Sequence, residues 1–148
     1  SFKVTYGVGD EMLIEDSRQG DTIITVNRND YFSKGKKIMV YNPDQGIYEI
    51  NEIQGLIDNR LILLKGVQRD YPKNSVVVVL KEVEYKLYTG ENALKRKVNK
   101  GYFQPMIEQV TDFYVKFFPE SCSVFYRIEV DQREQIRGYI YLTNMAEK

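Results

Sequence analysis

Val124-Phe125-Tyr126-Arg127-Ile128-Glu129-Val130 is the stretch that decides the fold class. Val124, Tyr126, Ile128 and Val130 fall on alternate positions, and polar Arg127, Glu129 and Asp131 back them. A two-residue period is the mark of a half-buried strand. The same period continues on both sides. Phe113, Val115 and Phe117 alternate before it. After it, Ile140 and Leu142 form the inner face of a last strand, with Tyr139 and Tyr141 outside. Further upstream, Val83, Tyr85 and Leu87 share one face, and Glu84, Lys86 and Tyr88 the other. Thr89-Gly90-Glu91-Asn92 then turns, Leu94, Arg96 and Val98 alternate, and Asn99-Lys100-Gly101 turns again. Pro105 to Val110 reads as a single helical turn with Pro105 at its first position.

The first half carries shorter strand signals. Phe2 to Tyr6 alternates and is expected to end at a Gly7-Val8-Gly9-Asp10 turn. Thr22 to Val26, Ile38 to Tyr41, Ile47 to Ile53, Arg60 to Leu64 and Val76 to Leu80 read as five strands. Asn42-Pro43-Asp44-Gln45-Gly46 and Tyr71-Pro72-Lys73-Asn74-Ser75 are turn signals between them. Short strands at this spacing suit a small barrel or rolled sheet. The unbroken Val76 to Val79 run suggests a strand buried on both faces, or one shared between two subdomains. The seam falls near Leu80 to Val83 and has no Gly/Ser spacer.

Composition narrows the function classes. The 148 residues are 43% apolar, enough for a core. Twelve tyrosines and seven phenylalanines suit pleated surfaces with one wet side. Twenty-one basic residues balance twenty-one acidic ones, in contrast to the basic excess of a general nucleic-acid binder. There is no histidine, so no Ser-His-Asp or Cys-His device can be built. One cysteine, Cys122, excludes an intrachain disulfide and a four-cysteine zinc site. Its setting, Ser121-Cys122-Ser123, reads as a turn. No apolar run is long enough to span a bilayer, and no signal peptide is visible. The abrupt start at Ser1-Phe2 suggests a piece of a longer precursor.

Several clusters are candidate sites. Lys95-Arg96-Lys97 with Lys100 is the densest basic group, and Glu82, Glu84 and Glu91 are placed to offset it. Asp10, Glu11, Glu15, Asp16 and Asp21 offer oxygens but no EF-hand spacing. Glu82 and Glu84 lie on one face of a strand, about 7 Å apart by the strand rise, the geometry of solvated charges rather than of a glycosidase pair across a cleft. Glu49 and Glu52 are the other possible carboxylate pair, and charges on a strand's solvent face are too common to read as catalytic. Gly7-Val8-Gly9 lacks the third glycine and the βαβ setting of a phosphate loop. No catalytic, cofactor-binding or metal residue is therefore assigned. The remaining candidates are Tyr88, Phe125, Tyr139 and Tyr141, apolar rings on outer-face positions, which form either a partner surface or a second layer covered by another element.

The order of segments from Val83 onward resembles a known family. Val83-Glu84-Tyr85-Lys86-Leu87-Tyr88, Ala93-Leu94-Lys95-Arg96-Lys97-Val98-Asn99 and Gln104 to Val115 are similar to the C-terminal part of W-type minor pilins of type IV pili and J-type pseudopilins of type II secretion. Arg137-Gly138-Tyr139-Ile140-Tyr141-Leu142-Thr143-Asn144 fits the family's last strand, and Phe2 to Tyr6 the strand after its N-terminal helix. The likeness covers residues 83–144. Gly20 to Leu80 instead resembles a small β-barrel insert found in unrelated modules. The resemblance implies a mainly β fold, all-β or α+β with little helix. Its small barrel-like module (16–82) would pack on an antiparallel pilin-like sheet made of 1–15 and 83–148. It implies no enzyme and no cofactor, but a subunit of pilus or pseudopilus assembly whose partners are other pilins or pseudopilins. Nucleic acid and small-molecule substrates are not expected as partners. The subunit would sit in the periplasm or at the cell surface, tethered to the inner membrane by a helix upstream of Ser1. A stand-alone β-barrel attachment or phage-tail-like module is the alternative, and a carboxylate-based hydrolase acting on a polysaccharide is a distant third.

Overall fold

The computed structural model describes residues 1–121, 123–131 and 133–141, with the side chain of Tyr141 excepted. Cys122 and the stretch from Leu142 to Asn144 lie outside the described residues. The fold is nearly all β and antiparallel, as the alternation requires. Among the described residues, eleven strands run in chain order: β1 Phe2–Met12, β2 Ile23–Thr25, β3 Lys37–Asn42, β4 Ile47–Ile57, β5 Arg60–Leu63, β6 Val76–Tyr88, β7 Ala93–Val98, β8 Gln104–Ile107, β9 Val110–Phe118, β10 Ser123–Val130 and β11 Glu134–Tyr141. A one-turn 3-10 helix, Pro119–Ser121, joins β9 to β10.

The chain divides into two compact units, Thr5–Lys81 and Ser1–Val4 with Glu82–Lys148. Strands β1 and β6 each contribute residues to both.

The first unit is a β-roll. Its strands follow the order β2-β5-β4-β3-β6, and β1 pairs with β6. An isolated bridge, Leu13 to Val26, links the margins, supported by Ile14 N donating to Thr25 O at 3.0 Å. No continuous ladder closes the sheet, so the roll stops short of a closed barrel. Its core holds Leu13, Ile24, Val26, Ile38, Val40, Ile53, Leu61, Val67, Tyr71 and Val77, all essentially without solvent contact. The valine run alternates within this frame. Val77 and Val79 enter the core, while Val76 and Val78 are half-buried. Strand β1 runs through the expected Gly7 to Asp10 turn without stopping. Gly9 sits at φ 63°, and a Cβ there would lie 2.5 Å from the Tyr31 ring. The glycine thus serves a close ring-on-backbone contact within a strand rather than a chain reversal.

The second unit has two sheets. In one, β7 pairs with the Val83–Tyr88 part of β6 and with β8. In the other, β10 lies between β9 and β11. Leu94, Val110 and Ile128 form the buried centre between them, joined by Tyr85, Leu87, Ile107, Phe113, Tyr126 and Val130. Two backbone bonds tie the corners: Val110 N to Asn92 O at 2.7 Å and Asp131 N to Gln109 O at 2.9 Å. The helical turn expected over Pro105 to Val110 is instead the short strand β8, with Pro105 opposite Lys95. Proline lacks a donor, so an edge strand accommodates it where a central strand would not.

Candidate interaction surface

Register decides which side chains share a surface. On β10, Val124, Tyr126, Ile128 and Val130 share a face, and the last three pack on the core between the sheets. Phe125, Arg127 and Glu129 therefore point away from it. Opposite them on β9 stand Lys116, Tyr114 and Asp112, and on β11 Tyr139, Arg137 and Gln135. Phe118 and Ser123 extend the same face.

The result is a continuous aromatic patch on the outer face of the three-stranded sheet. Phe125 and Tyr139 are direct cross-strand partners with ring centroids 5.1 Å apart. Tyr139 also meets Phe118 at 6.4 Å, and Phe125 meets Tyr114 edge-on at 6.3 Å. Tyr114 and Tyr139 are exposed. Two cations flank the rings: Lys116 Nζ lies 4.9 Å from the Phe118 centroid, and the Arg127 guanidinium 5.5 Å from that of Tyr114. Arg127 also forms an ion pair with Asp112 at 2.8 Å, while its Nε is buried without a hydrogen-bond partner among the described residues.

The four rings singled out from sequence do not all meet. Phe125 and Tyr139 come together, and the Tyr141 backbone pairs with Ser123 at the end of the same face. Tyr88 belongs to the other sheet. There it packs edge-on against Phe103 at 5.6 Å, under Lys95 and Lys86 at 4.5 and 5.1 Å. Tyr114 and Phe118 join the outer face without having been singled out from sequence. The alternation of Phe113, Val115 and Phe117 holds the signal, because it puts the residues between them on the opposite side.

Two members of the basic cluster are paired. Lys97 meets Glu84 at 2.9 Å, Lys95 meets Glu91 at 2.6 Å, and Lys3 lies 3.4 Å from Glu82. Lys95 and Lys97 are half-buried, and Arg96 between them is exposed. The hydrogen bond from Lys97 holds the Glu84 carboxyl below its ordinary range, against a smaller opposing effect of desolvation. Glu84 therefore stays ionised, unlike a general acid, whose pKa must be raised. A depressed carboxyl stabilises the fold above its unfolded pKa and loses that contribution as pH falls through the folded value. Replacing Glu84 with Gln is accordingly expected to lower the melting temperature at neutral pH. The gap to the native chain should close in acid, which thermal melts across a pH series would show.

The N-terminal acids hold loops. Asp16 accepts from Lys73 N and Asp21 from Arg18 N, at 2.8 and 2.7 Å, and Glu15 accepts from the Thr25 hydroxyl. Glu11 is buried, with Arg28 Nε at 3.9 Å. Glu49 accepts from Gln68 N at 2.8 Å and from the Tyr71 hydroxyl at 3.3 Å. Among the described residues, no three acidic or cysteine side chains group as a metal site would require. Nor is any helix among them long and apolar enough to cross a membrane.

No protein-family model matches the chain, and no curated protein does. Among solved structures, it is similar to the Gp54 tailspike of Acinetobacter baumannii bacteriophage AP22, solved in complex with A. baumannii capsular saccharide. The identity is 14% and the TM-score 0.44, over 53% of this chain and 15% of the tailspike chain.

Proposed function

We propose that this chain is the globular domain of a minor pilin or pseudopilin, acting in assembly or initiation of a pilus or pseudopilus by contact with other subunits rather than by catalysis. The observation that carries this reading is the aromatic outer face of β9, β10 and β11. Tyrosine and phenylalanine with flanking arginine are the composition of interface centres. The resemblance of residues 83–144 adds the kind of partner, a neighbouring pilin or pseudopilin. On this reading the domain works in the periplasm or at the cell surface, tethered through a helix upstream of Ser1.

The test is the coding sequence upstream of Ser1. A short basic leader is expected there, then about 20 apolar residues with a glutamate near their start, long enough to span a bilayer. Deleting the gene should stop filament assembly. A coding sequence that begins at Ser1, or filaments that assemble normally without the gene, would remove the reading.

A further inference from the structure

Strand β11 is an open edge among the described residues. Along one side it pairs with β10 over all eight residues, Glu134 to Tyr141. No strand among the described residues pairs with its other side. Three other margins, β8, β2 and β9, are guarded in the usual ways. Strand β8 is four residues long and carries Pro105, β2 has three residues, and β9 bears Asp112 and Lys116 and approaches β7. Strand β11 carries Glu134 and Arg137 but is eight residues long, has no proline, and exposes apolar side chains on both faces. Ile136 and Ile140 are 48% and 54% exposed on one face, and Tyr139 is 59% exposed on the other. A covering layer could bury only one of these faces. An added strand would shield both.

The sequence of β11 identifies that strand. Two antiparallel copies related by a two-fold axis normal to the sheet pair residues of the same face. Centred on Gly138, this sets Ile136 opposite the second copy's Ile140, and Arg137 opposite the second copy's Tyr139, each twice. Every exposed isoleucine then meets an isoleucine. Every Arg137 guanidinium lies beside a tyrosine ring, a favourable cation–π arrangement. Within one chain Arg137 stands directly across from Arg127, an unfavourable like-charge pair, and Arg127 already has Asp112. The neighbouring allowed register, centred on Arg137, would oppose two arginines and leave Tyr139 across from Gln135. A Cβ at Gly138 would lie 2.8 Å from the Tyr126 hydroxyl, so a larger residue there would make the Tyr126 side chain shift.

We propose that β11 pairs with β11 of a second copy, antiparallel and centred on Gly138, joining two three-stranded sheets into one of six strands. A two-fold normal to the sheet puts both aromatic outer faces on the same side. The dimer stands whether or not the pilin reading does.

Sedimentation of the chain across the micromolar range should show concentration-dependent dimers. Ile140→Lys should weaken association about tenfold or more, since the two-fold repeats the lesion, while leaving the melt unchanged. On a Cys122→Ser background, the pair Ile136→Cys and Ile140→Cys should give a disulfide-linked dimer under mild oxidation. The control pair Gln135→Cys and Ile140→Cys, on opposite faces, should not. A chain that stays monomeric throughout, a dimer indifferent to Ile140→Lys, or equal cross-linking by both pairs would overturn the proposal. If Ile140→Lys melts early, the two cysteine pairs decide alone.

Discussion

Replacing Tyr71 with alanine is expected to cost about 3–5 kcal/mol and to remove a large share of the β-roll unit's stability. A small unit has only about 5–15 kcal/mol of stability to lose. Tyr71 is fully excluded from solvent and is the largest side chain so buried among the described residues. Its backbone forms a two-way bridge with Ser17, with both N–H to O distances 2.8 Å. Its hydroxyl donates to Glu49 Oε2, which also holds the Gln68 backbone. Alanine would leave a ring-sized cavity and strip a partner from Glu49. Phenylalanine should cost only about 1 kcal/mol, the net value of one hydrogen bond.

The same residue governs the alkaline limit. Burial first, then the negative charge of Glu49, pushes the Tyr71 phenol from 10.0 up to about 12. The unfolded chain releases this proton from the ordinary value, and the folded chain keeps it. Stability is therefore complete below the ordinary value and falls as pH rises toward the folded one. Urea unfolding of the native chain should lose stability across that window faster than Tyr71→Phe. Equal slopes would mean that the phenol is not held by the fold.

The strands are legible in the sequence because burial is one-sided. Val124 to Val130 must alternate if one face packs on Leu94 and Val110 and the other meets solvent. The same logic places Phe125 and Tyr139 outside. It cannot place Tyr88 relative to them, because alternation fixes a face within a strand but not the sheet to which the strand belongs. That depends on pairing between Tyr88 and Ala93, and on the turn before β7. Strand β8 is ambiguous for a related reason. A short run with proline first fits a helix start as well as an edge strand, and only the ladder to β7 separates the two. Gly9 suggests a turn because glycine signals backbone freedom, while the reason for that freedom, the Tyr31 ring, lies far along the chain. The ion pairs of Lys95 and Lys97 are foreseeable, since Glu82, Glu84 and Glu91 sit within a turn or directly across the hairpin.

On the proposed pilin reading, substituting Tyr114 or Tyr139 with serine is expected to weaken binding to partner subunits by about 2 kcal/mol each, roughly thirtyfold, if the outer face carries the contact. Both rings are exposed, so neither change should shift the melt much. Tyrosine gives large contact area while ordering only two side-chain torsions, which concentrates binding energy on few residues. The two positions also separate the face from the edge. Tyr139 lies on β11 and serves both surfaces, whereas Tyr114 lies on β9, with β10 between it and the edge. Face binding predicts that Tyr114→Ser lowers partner affinity, measured by calorimetry, and leaves self-association unchanged. Tyr88→Ser, in the other sheet, should change neither. If Tyr114→Ser were silent and Ile140→Lys abolished partner binding, the aromatic face would be bystander surface, and the β11 edge would be the true contact.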